Sequence, residues 1–551
     1  MVSIHGSIIY CHLLGNWVAS PYVTQELEAV YRYILEHDAI DDLCTCEPPV
    51  LFRDDGGKIL QKWPYKDKPK PPIFSAVTGD ILKALVRFVV QRNDGTEVPL
   101  WLDTQLQKKY QQFLLYSFGK ELSLCYATGK MMPVTEKHNK GIRYPGDGAK
   151  LISSNDTAGF TFRGRFTDSK ECVSIGYETS QKAINALMWL IRNQGYIVDG
   201  RVFLAWSTLP VPSLFEDTDT FLSRYRQHFQ RAYAQRPNTM QAWAENLQKA
   251  LSGYKHEFEK DKSQQVNLMV LDAATPGRLS ICYYDALSGK DFLQRIELWH
   301  HAGSWLQHGS VHEGDKAISY FGVPTPRTLI KACRGDNISD KRMKMELERI
   351  FYCIVQGRSL PQDMEQAVRR RVVHTAVQAT GRQYEQWRYH VLEPACSVIC
   401  NRLYGQRAKE AYTVALDEEN HNRSYLYGRM LAVADRMERI TFKKEEQGRR
   451  LTNAMKYMEA FSARPATTWQ TIQKRLLPYE LKCEQYGGYE RRRLNQIGSM
   501  FEEKDFLSDM PLDGRFLLGF YCQQYADQQA AEERRKRRMA QQAQQQEQEV
   551  K

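Results

Sequence analysis

The sequence predicts an α+β protein, with a mixed α/β amino-terminal region that carries short β-sheets and an all-α helical bundle at the carboxy terminus. Short apolar runs bounded by proline and glycine, which are typical of strands, occur up to about Tyr284. From about Arg342 to Tyr525 such runs nearly disappear, and apolar residues recur at helical spacing. At 551 residues the chain is too long for one ordinary core. We therefore expect roughly two to four domains.

The first part of the chain alternates helical patterns with one irregular segment. Helices are predicted for residues 24–37, 81–90 and 108–124, and around residues 183–187. The segment 58–72, KILQKWPYKDKPKPP, carries five lysines and four prolines. Because proline denies the backbone regular hydrogen bonding, this segment is predicted to be an exposed loop.

A group of strand patterns follows these helices. Residues 201–206, 266–271 and 278–284 are rich in β-branched and aromatic residues and are predicted to be strands. Pro276 and Gly277 stand where a tight turn between the last two strands requires them. The intervening segment 215–254 is predicted to be largely helical.

The second half of the chain is predicted to be a helical bundle. A break is expected at residues 462–465 and another at Pro478. The segment 527–551 has no apolar face, so it is either a solvated helical extension or a disordered tail. The predicted regions are a mixed α+β DNA-recognition region (1–335), a helical connecting region (336–425), a carboxy-terminal bundle (426–526) and a basic, glutamine-rich tail (527–551).

Composition and charge place the chain in a broad class. The formal net charge of +11 favours a polyanionic partner, but it suits a slightly basic soluble protein about as well. Twelve cysteines are spread thinly, without two close pairs at zinc-ribbon spacing, so reduced thiols in a cytoplasmic protein are expected. No signal-peptide pattern opens the chain, and no apolar run approaches the roughly 20 residues needed to cross a bilayer, so no membrane association is expected.

One histidine cluster is the main candidate for metal chemistry. His300, His301, His308 and His312 lie in LWHHAGSWLQHGSVHEGD, whose glycines favour an irregular loop. A metal site needs three or four converging ligands on a rigid frame, so surface or structural histidines are the preferred interpretation. A metal-dependent nucleic-acid enzyme built on this cluster stays the alternative. No nucleophile or phosphate-loop motif stands out, and the segment 146–150 (GDGAK) is interpreted as a turn.

Basic, polar and aromatic residues concentrate in two segments. Lysines interleaved with aromatic side chains in segment 58–72 suit a phosphate backbone and base faces, although the same loop could be a simple solvated connection. Lysine and arginine neutralise phosphates, and serine or asparagine adds hydrogen bonds to backbone or base edges. The predicted contacts from a mobile phosphate-contacting loop are Lys66, Lys68 and Lys70. The other predicted nucleic-acid contacts are Lys140, Arg143, Ser154, Asn155, Arg163 and Arg165.

Four pieces occur in a fixed order between residues 124 and 206. They are CYATG at 125–129, the segment 133–140, the segment 151–155 and the helix around 183–187. This ordered set resembles the large subunit of type I-C CRISPR surveillance complexes (Cascade), the Csd family. Patchy similarity extends from about residue 120 to 525, and it includes SYLYGRMLAVA at 424–434 and FLLGFYCQ at 516–523.

The resemblance implies a specific, non-catalytic job. Such a subunit recognises the protospacer-adjacent motif (PAM) in double-stranded DNA, promotes R-loop formation, supports the displaced strand and docks a separate helicase-nuclease. The implied partners are crRNA, target DNA, the backbone, crRNA-processing and small subunits, and the helicase-nuclease. No cofactor is implied. The family often yields a small subunit by internal translation, which makes Met430 a possible start. A purely structural scaffold subunit is the remaining alternative.

Overall fold

The α+β class is confirmed in the computed structural model, in which helices predominate and the strands form small antiparallel sheets. The structure describes residues 2–3, 7–118, 122–153, 166, 169–229, 240–260, 264–313, 316–406, 413–443, 446, 449–484 and 488–549. The chain divides into two compact units. The first comprises Met1–His138 with Ser153–Ala183, and the second comprises Asn139–Ile152 with Ile184–Lys551.

The first unit combines short helices with two-stranded sheets, whose strands are very short. Its helices are α1 (Ser7–Val18), α2 (Gln25–Glu36), α3 (Ala39–Thr45), α4 (Ile73–Ala76), α5 (Thr104–Ser117) and α6 (Ser169–Cys172). Its strands pair antiparallel as β1 (Val2–Ser3) with β2 (Leu85–Val86), β3 (Val89–Gln91) with β4 (Glu97–Pro99), and β5 (Ser123–Leu124) with β6 (Met131–Met132).

A small apolar core holds α1, α2 and α5 of the first unit together. It contains Leu14, Trp17, Leu27, Val30, Leu106 and Phe113. The ring of Trp17 stacks on that of Phe113 with centroids 5.7 Å apart. Helix α2 begins where the sequence predicts, because the Thr24 hydroxyl accepts a hydrogen bond from the Leu27 amide at 3.3 Å.

Two predicted helices of this unit need correction. The helix predicted for residues 81–90 is wrong: a 3₁₀ turn at Ile81–Lys83 is followed by strands β2 and β3. The valines there favour an extended backbone once partner strands are available, and β1 and β4 supply them. The helix predicted for residues 108–124 is real but earlier, because Asp103 caps it by accepting from the Gln105 amide at 2.8 Å.

The second unit opens with a four-stranded antiparallel sheet in the order β10-β9-β8-β7. Its strands are β7 (Tyr196–Val198), β8 (Arg201–Trp206), β9 (Gln265–Thr275) and β10 (Arg278–Ser288). The three predicted strands and the turn at Pro276 and Gly277 are confirmed. Side chains alternate along β8, so that Val202 and Leu204 pack with Ile191 of α7 (Tyr177–Gln194), while Phe203 enters the main core.

Helices and one further hairpin complete the second unit. The hairpin pairs β11 (Trp305–Glu313) with β12 (Lys316–Gly322). The helices before and just after it are α8 (Thr218–Phe229), α9 (Met240–Lys260), α10 (Gly289–Ala302), α11 (Pro326–Arg334), α12 (Asp340–Gln356) and α13 (Gln362–Ala376). Helix α14 (Arg382–Trp387) continues through a π-helical segment, Arg388–Leu392, into α15 (Glu393–Gln406).

The carboxy-terminal helices form the bundle that the sequence predicts. They are α16 (Arg423–Arg439), α17 (Asn453–Ala463), α18 (Pro465–Glu484), α19 (Tyr489–Ser499), α20 (Glu503–Phe506) and α21 (Arg515–Glu549). One apolar cluster extends from the sheet through this bundle, from Val198 to Cys522. The domain boundaries after residues 335 and 425 stay predictions.

Helices α16 and α21 approach so closely that only glycine fits at their crossing. A Cβ added at Gly428 would lie 1.9 Å from the Phe516 carbonyl oxygen, and one added at Gly519 would lie 2.1 Å from that of Tyr425. Almost the whole of α16 is buried, by this direct backbone contact and by packing against α17, α18 and α19.

The predicted helix breaks in the bundle have opposite outcomes. The break at 462–465 is confirmed, since α17 ends at Ala463 and α18 begins at Pro465. The break at Pro478 is wrong, because this proline lies inside α18. Pro478 is on the exposed side of the helix, so water can satisfy the carbonyl that has no amide partner, while buried Leu476 keeps the helix packed. Of the two predicted forms of the tail, the structure shows the helical extension, through Glu549.

No helix in the described part of the chain combines the length and the apolar character that spanning a bilayer would require.

Candidate nucleic-acid interface

The loop 58–72 of the first unit exposes three predicted contact residues, Lys66, Lys68 and Lys70. Its backbone is anchored by Trp63, whose ring lies 5.1 Å from that of Phe52 and 5.4 Å from that of Phe74. The indole nitrogen of Trp63 also donates a hydrogen bond to the Lys68 carbonyl at 3.3 Å. The exposed loop predicted from the prolines is therefore confirmed, and its lysines project from a backbone that aromatic packing holds.

The same loop places an aromatic face beside the cationic groups. The Lys68 ammonium lies 4.9 Å from the centre of the Tyr65 ring, which is 46% exposed. Exposed ammonium groups can neutralise phosphates, and an exposed ring offers a face on which a base can stack. Charge and stacking chemistry thus occur together in this loop.

A compact turn in the second unit carries the predicted contacts Lys140 and Arg143. Gly141 adopts φ +78°, a conformation that side-chain-bearing residues rarely take, and its amide donates to the Asp147 carbonyl at 2.8 Å. The Arg143 guanidinium makes two hydrogen bonds to the Asp147 carboxylate, at 2.8 and 2.9 Å. The Arg143 side chain is only 7% exposed.

The two predicted contacts in this turn, Arg143 and Lys140, differ in their charge partners and in their exposure. The Arg143 guanidinium lowers the pKa of Asp147, and the Asp147 carboxylate raises the pKa of Arg143. Since its hydrogen bonds are taken up inside the protein, Arg143 holds the turn in shape. Lys140, in contrast, is exposed.

The predicted turn at residues 146–150 is also present. The Asp147 amide donates to the Tyr144 carbonyl at 2.9 Å, and Lys150 then pairs through its backbone with the β9–β10 turn, accepting from the Leu279 amide at 2.9 Å. The predicted contacts Ser154, Asn155, Arg163 and Arg165 lie outside the described residues.

The CYATG segment has a structural role in the first unit. The Cys125 thiol accepts a hydrogen bond from the Gly176 amide at 3.2 Å, and the Ser174 hydroxyl donates to the Leu124 carbonyl at 2.6 Å. The pKa of Cys125 is lowered by a hydrogen bond from the Thr128 side chain and by others from the backbone amides of Gly176, Thr128 and Ala127. Gly176 permits the contact, because a Cβ there would lie 2.0 Å from the sulfur of Met132. Pieces of the chain 50 residues apart are thus joined at the start of α7, which motif spacing alone did not indicate.

The histidines of the cluster lie in different elements of the fold. The irregular loop predicted for them is wrong, because helix α10 and strand β11 occupy this part of the chain. His300 is buried at the end of α10 and hydrogen-bonds the Thr218 hydroxyl at 2.8 Å, and burial lowers its pKa to about 3. His308 lies in β11 and hydrogen-bonds the buried Glu393 carboxylate at 2.9 Å. Buried Trp305 and pairing with β12 favour a strand there, and a register shift between Gln307 and Val311 absorbs the glycine.

Among the described residues, no group of three or more histidine, cysteine, aspartate or glutamate side chains is placed to hold an ion. The partnership of His308 with Glu393 was missed by sequence reasoning. The two residues are 85 positions apart, so local spacing carries no signal of their contact.

Met430 lies in the middle of α16 and is 3% exposed. The turns before it contain the Asn422 cap, whose side chain accepts from the Tyr425 amide at 3.2 Å, and the close contact at Gly428. A product that began at Met430 would therefore lack Tyr425 and Gly428, the α16 residues of the close backbone contact with α21.

A family model matches nearly the whole chain. The family model described as CRISPR-associated protein (Cas_Csd1) matches residues 9–527 of the chain. No curated protein matches it. The matched range includes the lysine loop, the CYATG segment and the bundle, and it ends inside α21.

Proposed function

This chain belongs to the family of CRISPR-associated proteins described as Cas_Csd1, and from that premise we propose that it is the non-catalytic large subunit of a type I-C antiviral surveillance complex. The family makes it a CRISPR-associated Cascade subunit that works with crRNA and other Cas proteins. The proposal is finer: the chain recognises the PAM in double-stranded DNA, promotes R-loop formation and docks the helicase-nuclease. Its proposed neighbours are the backbone, crRNA-processing and small subunits.

The observation that carries the DNA-binding part of this proposal is the anchored loop with exposed Lys66, Lys68 and Lys70 inside the family match. In guide-directed systems of another class, base pairing reads most of the sequence and the protein reads only a short flanking motif. Opening the duplex there is nearly balanced in free energy, so a few phosphate contacts are enough to favour it.

Different residues of the proposed interface have different roles. Phosphates are neutralised directly by the exposed lysines, which are Lys66, Lys68, Lys70 and Lys140. Arg143 acts through its ion pair with Asp147, which fixes the turn that presents Lys140. Further contacts to base edges and backbone are proposed for Ser154, Asn155, Arg163 and Arg165.

A small subunit produced by internal translation is also proposed, with Met430 as its predicted start. The geometry of α16 adds a requirement, because a product beginning there must fold without the first two turns of that helix. Retaining the native gene sequence while searching expressing cells for a short carboxy-terminal product checks the proposal, and absence of such a product contradicts it.

The experiment that tests the main proposal is target binding by the complex assembled with its guide and backbone subunits. Target duplexes carry a randomised flanking motif, and binding is compared with and without this chain. Enrichment of one short flank that requires this chain is the expected result. The same flank preference in its absence contradicts the proposal and favours the structural scaffold.

A further inference from the structure

A cavity of about 510 Å³ in the second unit lies between three segments that are far apart in sequence. The hairpin β11–β12, the α14–α15 junction and α21 each contribute to it. Its lining includes His308, Glu385, Arg388, Tyr389, Tyr525 and Glu532. Its volume falls in the range of small-molecule sites, and its lining mixes aromatic rings with hydrogen-bonding groups.

Tyr389, an aromatic residue of the cavity wall, is held in place by the residues that pack against it. The Tyr389 ring stacks on the His308 imidazole with centroids 4.6 Å apart. His308 is fixed in turn by Glu393, which is fully buried and also accepts a hydrogen bond from the Tyr521 hydroxyl at 2.8 Å. Tyr389 belongs to the π-helical segment 388–392, and such short π-helical segments occur frequently at functional sites. A ligand ring that stacks on Tyr389 thus meets a surface that is already ordered.

The polar groups favour a neutral ring with hydrogen-bonding edges over an anion. Glu385 and Glu532 line the cavity, and their carboxylates would repel a phosphate placed inside it. Arg388 also lines the cavity, and its Nε, which has no hydrogen-bond partner among the described residues, lies 3.7 Å from the Glu393 carboxylate, which offsets its charge. The same guanidinium donates to the Gln528 side chain at 3.2 Å and lies 5.0 Å from the Tyr521 ring. Amide and carboxylate groups of this kind match the donors and acceptors on a nucleobase edge.

Helix α21 carries the same face beyond the cavity. One face of α21 carries Tyr525, Gln528, Gln529 and Glu532 at helical spacing. The next turn places Arg535 and Lys536 on that face. Both cationic residues are exposed. Arg537 and Arg538 point to other sides of the helix by the same periodicity. Cations therefore begin one turn from the cavity, where the phosphates of a strand with one base inserted would lie.

We propose that this cavity takes the base of an unpaired nucleotide within a single strand of nucleic acid, and that Arg535 and Lys536 contact the neighbouring phosphates. The inference rests on the proposed nucleic-acid function and adds a site to it. The lining residues from 528 onward lie beyond the family match, so the site combines matched and unmatched parts of the chain. The strand could be DNA or RNA, and the test has an arm for each.

The first measurement uses a short thymidine oligonucleotide with one central 2-aminopurine, made in DNA and in RNA form, and the full chain. Stacking is expected to quench 2-aminopurine fluorescence on binding. Tyr389→Leu should abolish the quench and weaken binding by roughly tenfold, because one base–aromatic stack is removed. Tyr389→Phe should retain both. Tyr284→Leu changes a tyrosine that is 56% exposed and does not line the cavity, and it should have no effect.

The second measurement compares two variants of equal charge. Arg535→Glu with Lys536→Glu removes the cations on the cavity face, and Arg537→Glu with Arg538→Glu removes two from other faces. All four residues are exposed, so folding should be preserved, which circular dichroism checks. The first pair should weaken oligonucleotide binding several-fold more than the second and lower its salt dependence further.

The two measurements separate this site from the proposed function. Equal affinity for an oligonucleotide with an abasic central position, or equal losses from the two charge pairs, overturns the cavity proposal while leaving the flanking-motif test untouched. Quenching in the DNA arm supports a target strand as occupant, and quenching in the RNA arm supports the guide. Displacement by free thymidine monophosphate as effective as by the strand overturns the assignment of Arg535 and Lys536.

Discussion

The α16–α21 crossing and the lysine loop 58–72 keep their shapes in opposite ways. At the crossing, backbone touches backbone at Gly428 and Gly519, with no room for any side chain. In the loop, the Trp63 ring anchors an irregular backbone and the lysines have exposed positions. Substitution at the crossing must therefore change stability, whereas substitution of the loop lysines should change binding and leave stability nearly unaltered.

The largest effect is expected from deleting the first turns of α16. A fragment of residues 430–549, the proposed internal product, lacks the Asn422 cap and buried Tyr425, Leu426 and Tyr427, so we expect it to unfold at a low temperature, measured by circular dichroism. The matched fragment 413–549 retains them and should unfold cooperatively at a higher temperature.

Equal unfolding temperatures for the two fragments would contradict the importance of the crossing. Failure of both fragments would show that the bundle depends on the helices before it, with which it shares one apolar cluster.

The next largest effect is expected from adding one methyl group at the crossing. Gly428→Ala would put Cβ 1.9 Å from the Phe516 carbonyl oxygen, so the helices must separate. We expect a loss of more than about 3 kcal/mol in the free energy of unfolding, measured by urea denaturation of the full chain.

Gly498→Ala is the control for this substitution. It also lies in a helix, but a Cβ there meets nothing within 4 Å, so the change should be neutral or stabilise by about 0.5–1 kcal/mol. Similar destabilisation at both glycines would show that helix propensity, not the close approach, decides the outcome.

The same contrast explains how far the sequence predicts the fold. Helices of the bundle follow from apolar periodicity, because their burial is large and regular. In the first unit, β2 and β5 have two residues each, which is too short for any periodicity to appear, and their pairing with distant partners decides their conformation. The helix predicted for residues 81–90 failed for this reason.

The sites divide along a similar line. Exposure of the lysine loop could be predicted because proline acts locally on the backbone. The burial of Arg143 could not, since it depends on the turn at residues 144–147, which brings the Asp147 carboxylate within hydrogen-bonding distance. The aromatic cavity could not be predicted either, because Tyr389 and Tyr525 meet only after folding.

An intermediate effect is expected at the Arg143–Asp147 pair, whose charges have a structural role. Asp147→Asn leaves a buried guanidinium without its carboxylate, which should cost about 3 kcal/mol at pH 7. Because Arg143 lowers the pKa of Asp147 below its ordinary value of 3.8, the stabilisation is present above that value and is lost as pH falls through the folded-state pKa.

Urea denaturation between pH 2 and pH 7, a range of about five units spanning the carboxyl pKa values, checks this prediction. The difference between wild type and Asp147→Asn should shrink toward the acid end. Asp55→Asn, in an exposed turn, is the control and should match wild type throughout. A difference that does not depend on pH would mean that shape, not charge, stabilises this turn.

The smallest effect on stability, and a selective effect on binding, is expected in the lysine loop. Replacing Lys66, Lys68 and Lys70 together by glutamine removes three exposed charges and no packed side chain. We expect unfolding within about 0.5 kcal/mol of wild type. Binding of the assembled complex to target duplex should weaken by roughly tenfold at low salt. The slope of its salt dependence should fall by up to about 3, because each lysine that neutralises a phosphate contributes about one unit.

The matched control carries the same charge change on another exposed surface, at Lys249, Lys255 and Lys260 of α9. If both triple variants reduce the affinity equally, only the net charge of the protein matters and the loop has no special place on the DNA. A reduction confined to the loop variant, with an unchanged unfolding curve, would complete the contrast with Gly428, where stability changes first and binding only as its consequence. The result depends on position because phosphate contacts act only within about one Debye length, roughly 8–10 Å at physiological ionic strength.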